Sequence, residues 1–193
     1  MVPPVAEGGD RLLCSPMSSA DSSPLTLLFA AGDTPNNPRL PLILYRGAVD
    51  VAGARDPAAL FEDLFARNGW GGKLGAGSWR NGVFGFRHYH PAGHEVLGIA
   101  SGRVEVEFGG STGKRVELAA GDVAILPAGV GHMRTAASRD LLVVGAYPAR
   151  NDSAHARPGE LTDAEALARI ARVPVPDKDP VHGASGPLTS LWS

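Results

Sequence analysis

A chain of 193 residues with 44 % hydrophobic content is the size of one domain with tails and can fill one core. The net charge is −2 and no Lys/Arg run occurs, which excludes nucleic acid or an anionic membrane as the expected partner, because counterion release needs clustered cations. The single Cys14 excludes an internal disulfide and a cysteine-based zinc site. With no apolar run near the ~20 residues that span a bilayer and no signal-peptide pattern, a soluble cytoplasmic protein is expected.

Residues 1–22 are rich in Pro, Ser, Gly and Asp without periodicity and read as a flexible extension, with Met17 as an alternative start. Two short apolar runs follow, Leu25–Phe29 and Leu42–Tyr45, separated by the Pro/Asn-rich turn Thr34–Pro41. A helix comes next. Asp56 suits the N-cap, Pro57 the first helical position and Gly69 the stop, while Leu60, Phe61, Leu64 and Phe65 make one apolar face. Trp70–Asn81 reads as a glycine-rich loop carrying Trp70 and Trp79, placed to plug one end of the fold or to form a lid.

From Val83 to Tyr147 the chain reads as seven strands: Val83–Tyr89, Glu95–Ser101, Arg103–Phe108, Lys114–Leu118, Val123–Leu126, His132–Ala137 and Leu141–Tyr147. In Arg103–Phe108 the alternation is clean, with Val104, Val106 and Phe108 on one face. Short strands at this spacing, punctuated by many of the 25 glycines and 16 prolines, imply an all-β sandwich or barrel. Thr162 and Glu165 then form a capping box for a second helix ending before Pro174. The Pro/Gly-rich tail Pro174–Ser193 reads either as a disordered end or, as its apolar residues favour, as a segment that packs along the barrel or onto a second subunit. The expected organisation is thus an extension over 1–22, a barrel with its preceding strands and helix over 23–150, and a helix with an extended tail over 151–193.

The chemistry concentrates in Gly82–Gly102 and Gly121–His132. His88 and His90, at i and i+2 of a strand, point the same way and can present both imidazoles to one point. Glu95 follows a Pro-Ala-Gly turn, and His132 opens another strand after a Pro/Gly turn. Three imidazoles and a carboxylate form a donor set suited to Fe, Mn, Ni, Zn, Co or Cu and poor for Ca or Mg. His94, beside Glu95, points the other way in a regular strand. It reads either as a rim residue hydrogen-bonding at the barrel mouth or as an alternative ligand or acid/base group.

These two segments resemble the two motifs of the cupin superfamily, G-x5-H-x-H-x4-E-x6-G and G-x5-P-x-G-x2-H-x3-N. Gly82, His88, His90, Glu95 and Gly102 match the first, and Gly121, Pro127, Gly129 and His132 the second. Ala136 stands where the family usually carries Asn. The resemblance, with its motif core over 82–147, implies a double-stranded β-helix (a jelly-roll barrel), flanked by one helix on the N-terminal side and a short C-terminal one. It also implies one divalent transition metal held by His88, His90, Glu95 and His132.

Parity puts Phe84, Phe86, Leu97 and Ile99 on the inner face, and Arg87 and Tyr89 toward solvent or a neighbouring subunit. Arg134 shares the face of His132, so it either points inward as a carboxylate anchor or is turned to solvent by a bulge. His94 and Arg134 are the candidate catalytic residues. The expected function is a metalloenzyme acting on a small organic molecule, an anion if Arg134 faces in; dioxygenase, isomerase and decarboxylase chemistry all fit. The alternative is a non-catalytic binding or sensory protein. A homodimer is expected in either case.

Overall fold

A computed structural model describes residues 23–71 and 77–193. The expected extension over 1–22 and part of the expected Trp70–Asn81 loop lie outside the described residues.

Among the described residues, nine strands form two sheets. The elements run β1 (Leu25–Leu27), β2 (Leu42–Tyr45), α1 (Pro57–Arg67), β3 (Ser78–Asn81), β4 (Glu95–Ser101), β5 (Arg103–Phe108), β6 (Lys114–Ala119), β7 (Val123–Leu126), β8 (His132–Ala137), β9 (Leu142–Ala146), α2 (Asp163–Ile170) and α3 (Pro187–Leu191). The larger sheet has the order β1-β2-β7-β4-β9-β3 and the smaller β6-β5-β8, with every named pairing antiparallel. This is the all-β jelly-roll architecture expected from the motifs.

Between the sheets lies one apolar layer. Leu97 and Ile99 of β4 and Leu42 and Leu44 of β2 meet Val104, Val106 and Phe108 of β5 there. The alternation read in β5 therefore reports a sheet with one buried and one wet face. The larger sheet is buried on both faces, so β2, β4 and β7 read as nearly continuous apolar runs. Its outer layer gathers Ile43, Val96, Ile125 and Val144 beneath Phe61 and Phe65 of α1. Gly98 permits that approach, since an added Cβ would come within 2.3 Å of the Phe61 ring.

Helix α1 is capped by Asp56, whose carboxylate accepts from Ala59 N–H at 3.2 Å. The α2 capping box of Thr162 and Glu165 is formed as its sequence implies. The C-terminal tail packs on the outer face of the larger sheet. Leu188 and Trp192 are buried in its apolar layer, and Trp192 Nε1 donates to the Pro41 carbonyl at 2.8 Å. Asp179, fully buried, ties this tail down by accepting from Tyr45 Oη and from the backbone N–H groups of Val181, His182 and Leu188. No helix among the described residues is long and apolar enough to cross a membrane.

Three expectations need correction. Val83–Tyr89 is not a strand: it bends at Gly85–Phe86 and joins its neighbours through isolated bridges, His88 to His132 and Tyr89 to Ala156, and a single bond from Arg134 N–H to the Phe84 carbonyl at 2.8 Å. The supposed loop before it ends in a strand, β3, on the edge beside β9. Tyr89 and Arg87 do not simply meet solvent. Tyr89 is buried in a small cluster with Ala156 and Ala166 of α2, and Arg87 pairs with Asp33 and Glu107.

Candidate metal centre

The irregular segment over residues 82–90 runs beside β8. Reciprocal backbone bonds join His88 and His132 at 3.1 and 2.8 Å, and Gly129 N–H donates to the His90 carbonyl at 2.9 Å. The two motifs, with 18 residues between Gly102 and Gly121, are thereby stitched into one wall. Gly102, at φ 72°, makes the tight turn that sends β4 into β5.

All three imidazoles are fixed from behind. Nδ1 of His88 lies 3.1 Å from the Phe86 carbonyl, that of His90 3.1 Å from the Ala154 carbonyl, and that of His132 3.1 Å from the Val130 carbonyl. A carbonyl only accepts, so each Nδ1 carries a hydrogen and each ring turns its Nε2 forward. The three histidines are buried, each offering a donor atom, and these atoms lie within 4.8 Å of one another, a grouping able to hold a metal ion.

Glu95, at the first position of β4, adds its carboxylate. Oε2 lies 3.4 Å from His90 Nε2 and 3.3 Å from His132 Nε2. Among the described residues neither His90 Nε2 nor Glu95 Oε2 has a hydrogen-bond partner, although both are buried. The other carboxylate oxygen, Oε1, is held by Tyr147, whose hydroxyl donates to it at 2.6 Å and accepts from Trp79 Nε1 at 3.4 Å.

Electrostatics follow this arrangement. Burial, then the neighbouring His132, pushes His88 down to about 3. Burial also opposes a charge on His90, but the facing Glu95 more than offsets it and raises His90. For Glu95 burial works against ionisation and is outweighed by His90 and His132, which hold it well below the usual carboxylate range. Burial and the Glu95 charge push Tyr147 up, so its hydroxyl stays a donor.

Above the donors opens a cavity of about 320 Å³, lined by Trp79, Arg80, Phe84, Leu97, Tyr147 and His155 among others. Its size is at the lower end of small-molecule sites, which hold roughly 300–1,000 Å³. Leu97 lines it as parity implies, and Phe84 stands at its rim, 43 % exposed. Ile99 belongs to the apolar layer between the sheets, and Phe86 packs behind Phe84.

Neither candidate catalytic residue reaches this cavity. His94 faces the opposite side of β4, where it is buried with its ring 4.7 Å from that of Trp192 and its Nδ1 accepts from Ala128 N–H at 3.0 Å. Burial pushes it down to about 3, so it is a neutral packing residue. Arg134 is exposed. It keeps the parity of His132 but lies further along β8, past the covered part of the barrel, with its guanidinium within 4 Å of where a Cβ on Gly82 or Gly85 would sit. A bulge follows at Thr135, and Ala136 is exposed beyond it. The two tryptophans part company: Trp70 is buried in the outer layer, and Trp79 lies in the cavity wall.

Tyr147 and His155 are site residues that the sequence did not disclose. Tyr147 reaches Glu95 through the β4–β9 register, which pairs Val96 with Ala146. His155 arrives on an aperiodic loop pinned to the first motif by reciprocal Tyr89–Ala156 backbone bonds of 3.0 and 2.9 Å.

Comparisons with known proteins agree with this construction. Residues 79–144 match the Cupin domain family. Uncharacterized protein YjlB of Bacillus subtilis (strain 168) is 35 % identical over 163 residues, 83 % of this chain and 91 % of that protein. Among solved structures, acireductone dioxygenase from Bacillus anthracis, with a cadmium ion in its active center, is 16 % identical over 57 % of this chain and 80 % of its own, with a TM-score of 0.38. A DMSP lyase structure is 20 % identical over 42 % of this chain and 40 % of its own, with a TM-score of 0.33. Both structural overlaps are partial, and no activity passes from them to this chain. The domain match spans both histidine motifs and the likeness to YjlB runs through most of both proteins, so the chain belongs to the cupin superfamily.

Proposed function

We propose that His88, His90, Glu95 and His132 hold one divalent transition metal and that the protein is an enzyme acting on a small organic substrate in the cavity above it. The observation behind this reading is the convergence of buried lone pairs. Three Nε2 atoms and a carboxylate oxygen face one another, and two of those four atoms have no hydrogen-bond partner. Buried acceptors facing acceptors are costly unless a cation lies among them. The Nδ1–carbonyl bonds and the Tyr147–Glu95 bond are the kind of outer support that orients metal-binding side chains.

A bound metal would supply Lewis-acid polarisation of a substrate oxygen or, if redox-active, oxygen chemistry. The chain's own residues then have separable tasks. Tyr147 holds Glu95 in one orientation, Leu97 and Trp79 keep the cavity wall apolar, and His155 sits at the mouth. Metal analysis of the purified protein should find close to one transition metal per chain, and a His90→Ala variant that kept full occupancy would sink the assignment. Turnover across a panel of small carboxylates, sugars, thiols and diols that disappears in Glu95→Gln would establish an enzyme.

A second reading, a non-catalytic small-molecule sensor, draws on the commitment of the wall's polar groups. Tyr147 is spent on Glu95 and Arg80 on Asp56 and Glu62, leaving few groups to move protons. Tight binding of one panel compound without turnover would favour it. A homodimer joined through the edge strand β1 is also proposed, supported by the exposed Leu25 and Leu28 (49 and 60 %). Light scattering on the eluted protein, giving one or two chains per particle, decides it.

A further inference from the structure

Phe84 is out of place for an aromatic residue beside a buried donor cluster. Large apolar side chains gain most from full burial, yet Phe84 is 43 % exposed and its free surface borders the cavity. It is also held in place. Its ring stacks on Phe86 at 4.8 Å and 15°, and the Arg157 guanidinium caps Phe86 at 4.1 Å. On the inner side it meets His88 edge-on at 5.1 Å, and His155 lies 5.4 Å from Phe84 and 5.6 Å from His88. The result is a continuous aromatic shelf running from the rim down to the donor set.

Another wall of the cavity is equally flat. Trp79 lies against Gly145 so closely that an added Cβ there would come within 2.0 Å of its ring. Charge in the cavity is scarce. The arginine in its wall, Arg80, is engaged by Glu62 at 2.6 Å and Asp56 at 3.0 Å. Among the described residues of the wall, no other Lys or Arg is present. A divalent ion beside the single carboxylate of Glu95 leaves a net charge of about +1, which one negative oxygen neutralises and two overshoot.

Building on the metal reading above, we propose that Phe84 is a specificity-determining residue, its shelf binding a flat, mainly apolar molecule that presents one anionic oxygen group to the metal. Polyanions such as phosphate esters and citrate-like acids are the wrong class for this cavity. Stacking on an ordered ring adds to simple burial, because the ring loses no freedom on binding.

The test uses the full-length protein loaded with cobalt(II), its metal content measured first, and two monoanionic chelators with the same metal-binding head, acetohydroxamate and benzohydroxamate. Benzohydroxamate is expected to bind about tenfold or more tightly than acetohydroxamate by calorimetry or by the cobalt visible spectrum. In Phe84→Ala the advantage should fall to about threefold or less, with metal content unchanged. Phe84→Leu keeps apolar bulk without the flat face and should lie between the two. Because Phe84 stands at the rim and outside the core layers, both variants are expected to fold. Full metal uptake with equal affinities for the two chelators overturns the shelf alone, as does an advantage that persists in Phe84→Ala. A protein that takes up no cobalt and binds neither chelator overturns the metal reading, and the shelf proposal with it.

Discussion

Removing one oxygen atom tests how the carboxylate of Glu95 is held. In Tyr147→Phe the 2.6 Å hydrogen bond to Glu95 Oε1, on a residue only 2 % exposed, disappears. A hydrogen bond to a charged group contributes about 1.5–3 kcal/mol. At roughly 2–4 °C per kcal/mol for a chain of this size, the metal-free variant should melt about 3–12 °C below the parent. Losing an outer-shell partner of a metal-binding side chain typically costs about 10–100-fold in metal affinity. Chelator competition with zinc or cobalt should show that loss in Tyr147→Phe. The control is Tyr45→Phe, which deletes a comparable buried bond to Asp179 on the outer side of the sheet. It should lower the melting temperature to a similar extent and leave metal affinity within about twofold. If both variants lose stability equally and neither loses metal affinity, Tyr147 is a packing residue and the proposed support of Glu95 is wrong.

Trp192→Ala should cost about 3–5 kcal/mol in denaturant unfolding, since it empties a buried indole site; a loss under about 1 kcal/mol would mean that the tail is not docked in solution. Gly145→Val should displace Trp79 from the cavity wall, at about 1–3 kcal/mol of overpacking, read as a red-shifted tryptophan emission; unchanged emission would count against the wall as described. Arg134→Leu should leave metal content intact and stability within about 0.5 kcal/mol, as for an ordinary surface site. Weaker binding of a small carboxylate with metal content intact would restore the inward reading of Arg134.

Periodicity and caps disclosed most of the fold. The strand runs from β4 to β9 and the Asp56 and Thr162 caps follow local rules that short segments obey by themselves. Local reading failed at Val83–Tyr89, where apolar parity suggested a strand but the backbone bends at Gly85–Phe86 and pairs with β8 at scattered points. It left Arg134 open between the interior and solvent, because parity says which way a side chain points and not how far along the barrel the interior extends. The convergence of His88, His90 and His132 was legible because i, i+2 spacing and fixed motif distances encode it. Tyr147 and His155 were hidden because a strand register and a loop crossing bring them in, and neither leaves a trace in neighbouring residues.

His94 and Glu95 are consecutive residues at the start of β4, the first packed against the ring of Trp192 of the tail and the second facing the donor cluster. Any free energy by which a docked tail favours the metal-competent position of Glu95 must be returned in kind, because coupling between two binding events is reciprocal. With such a coupling, amide exchange in α3 would slow when the pocket on the opposite face is filled.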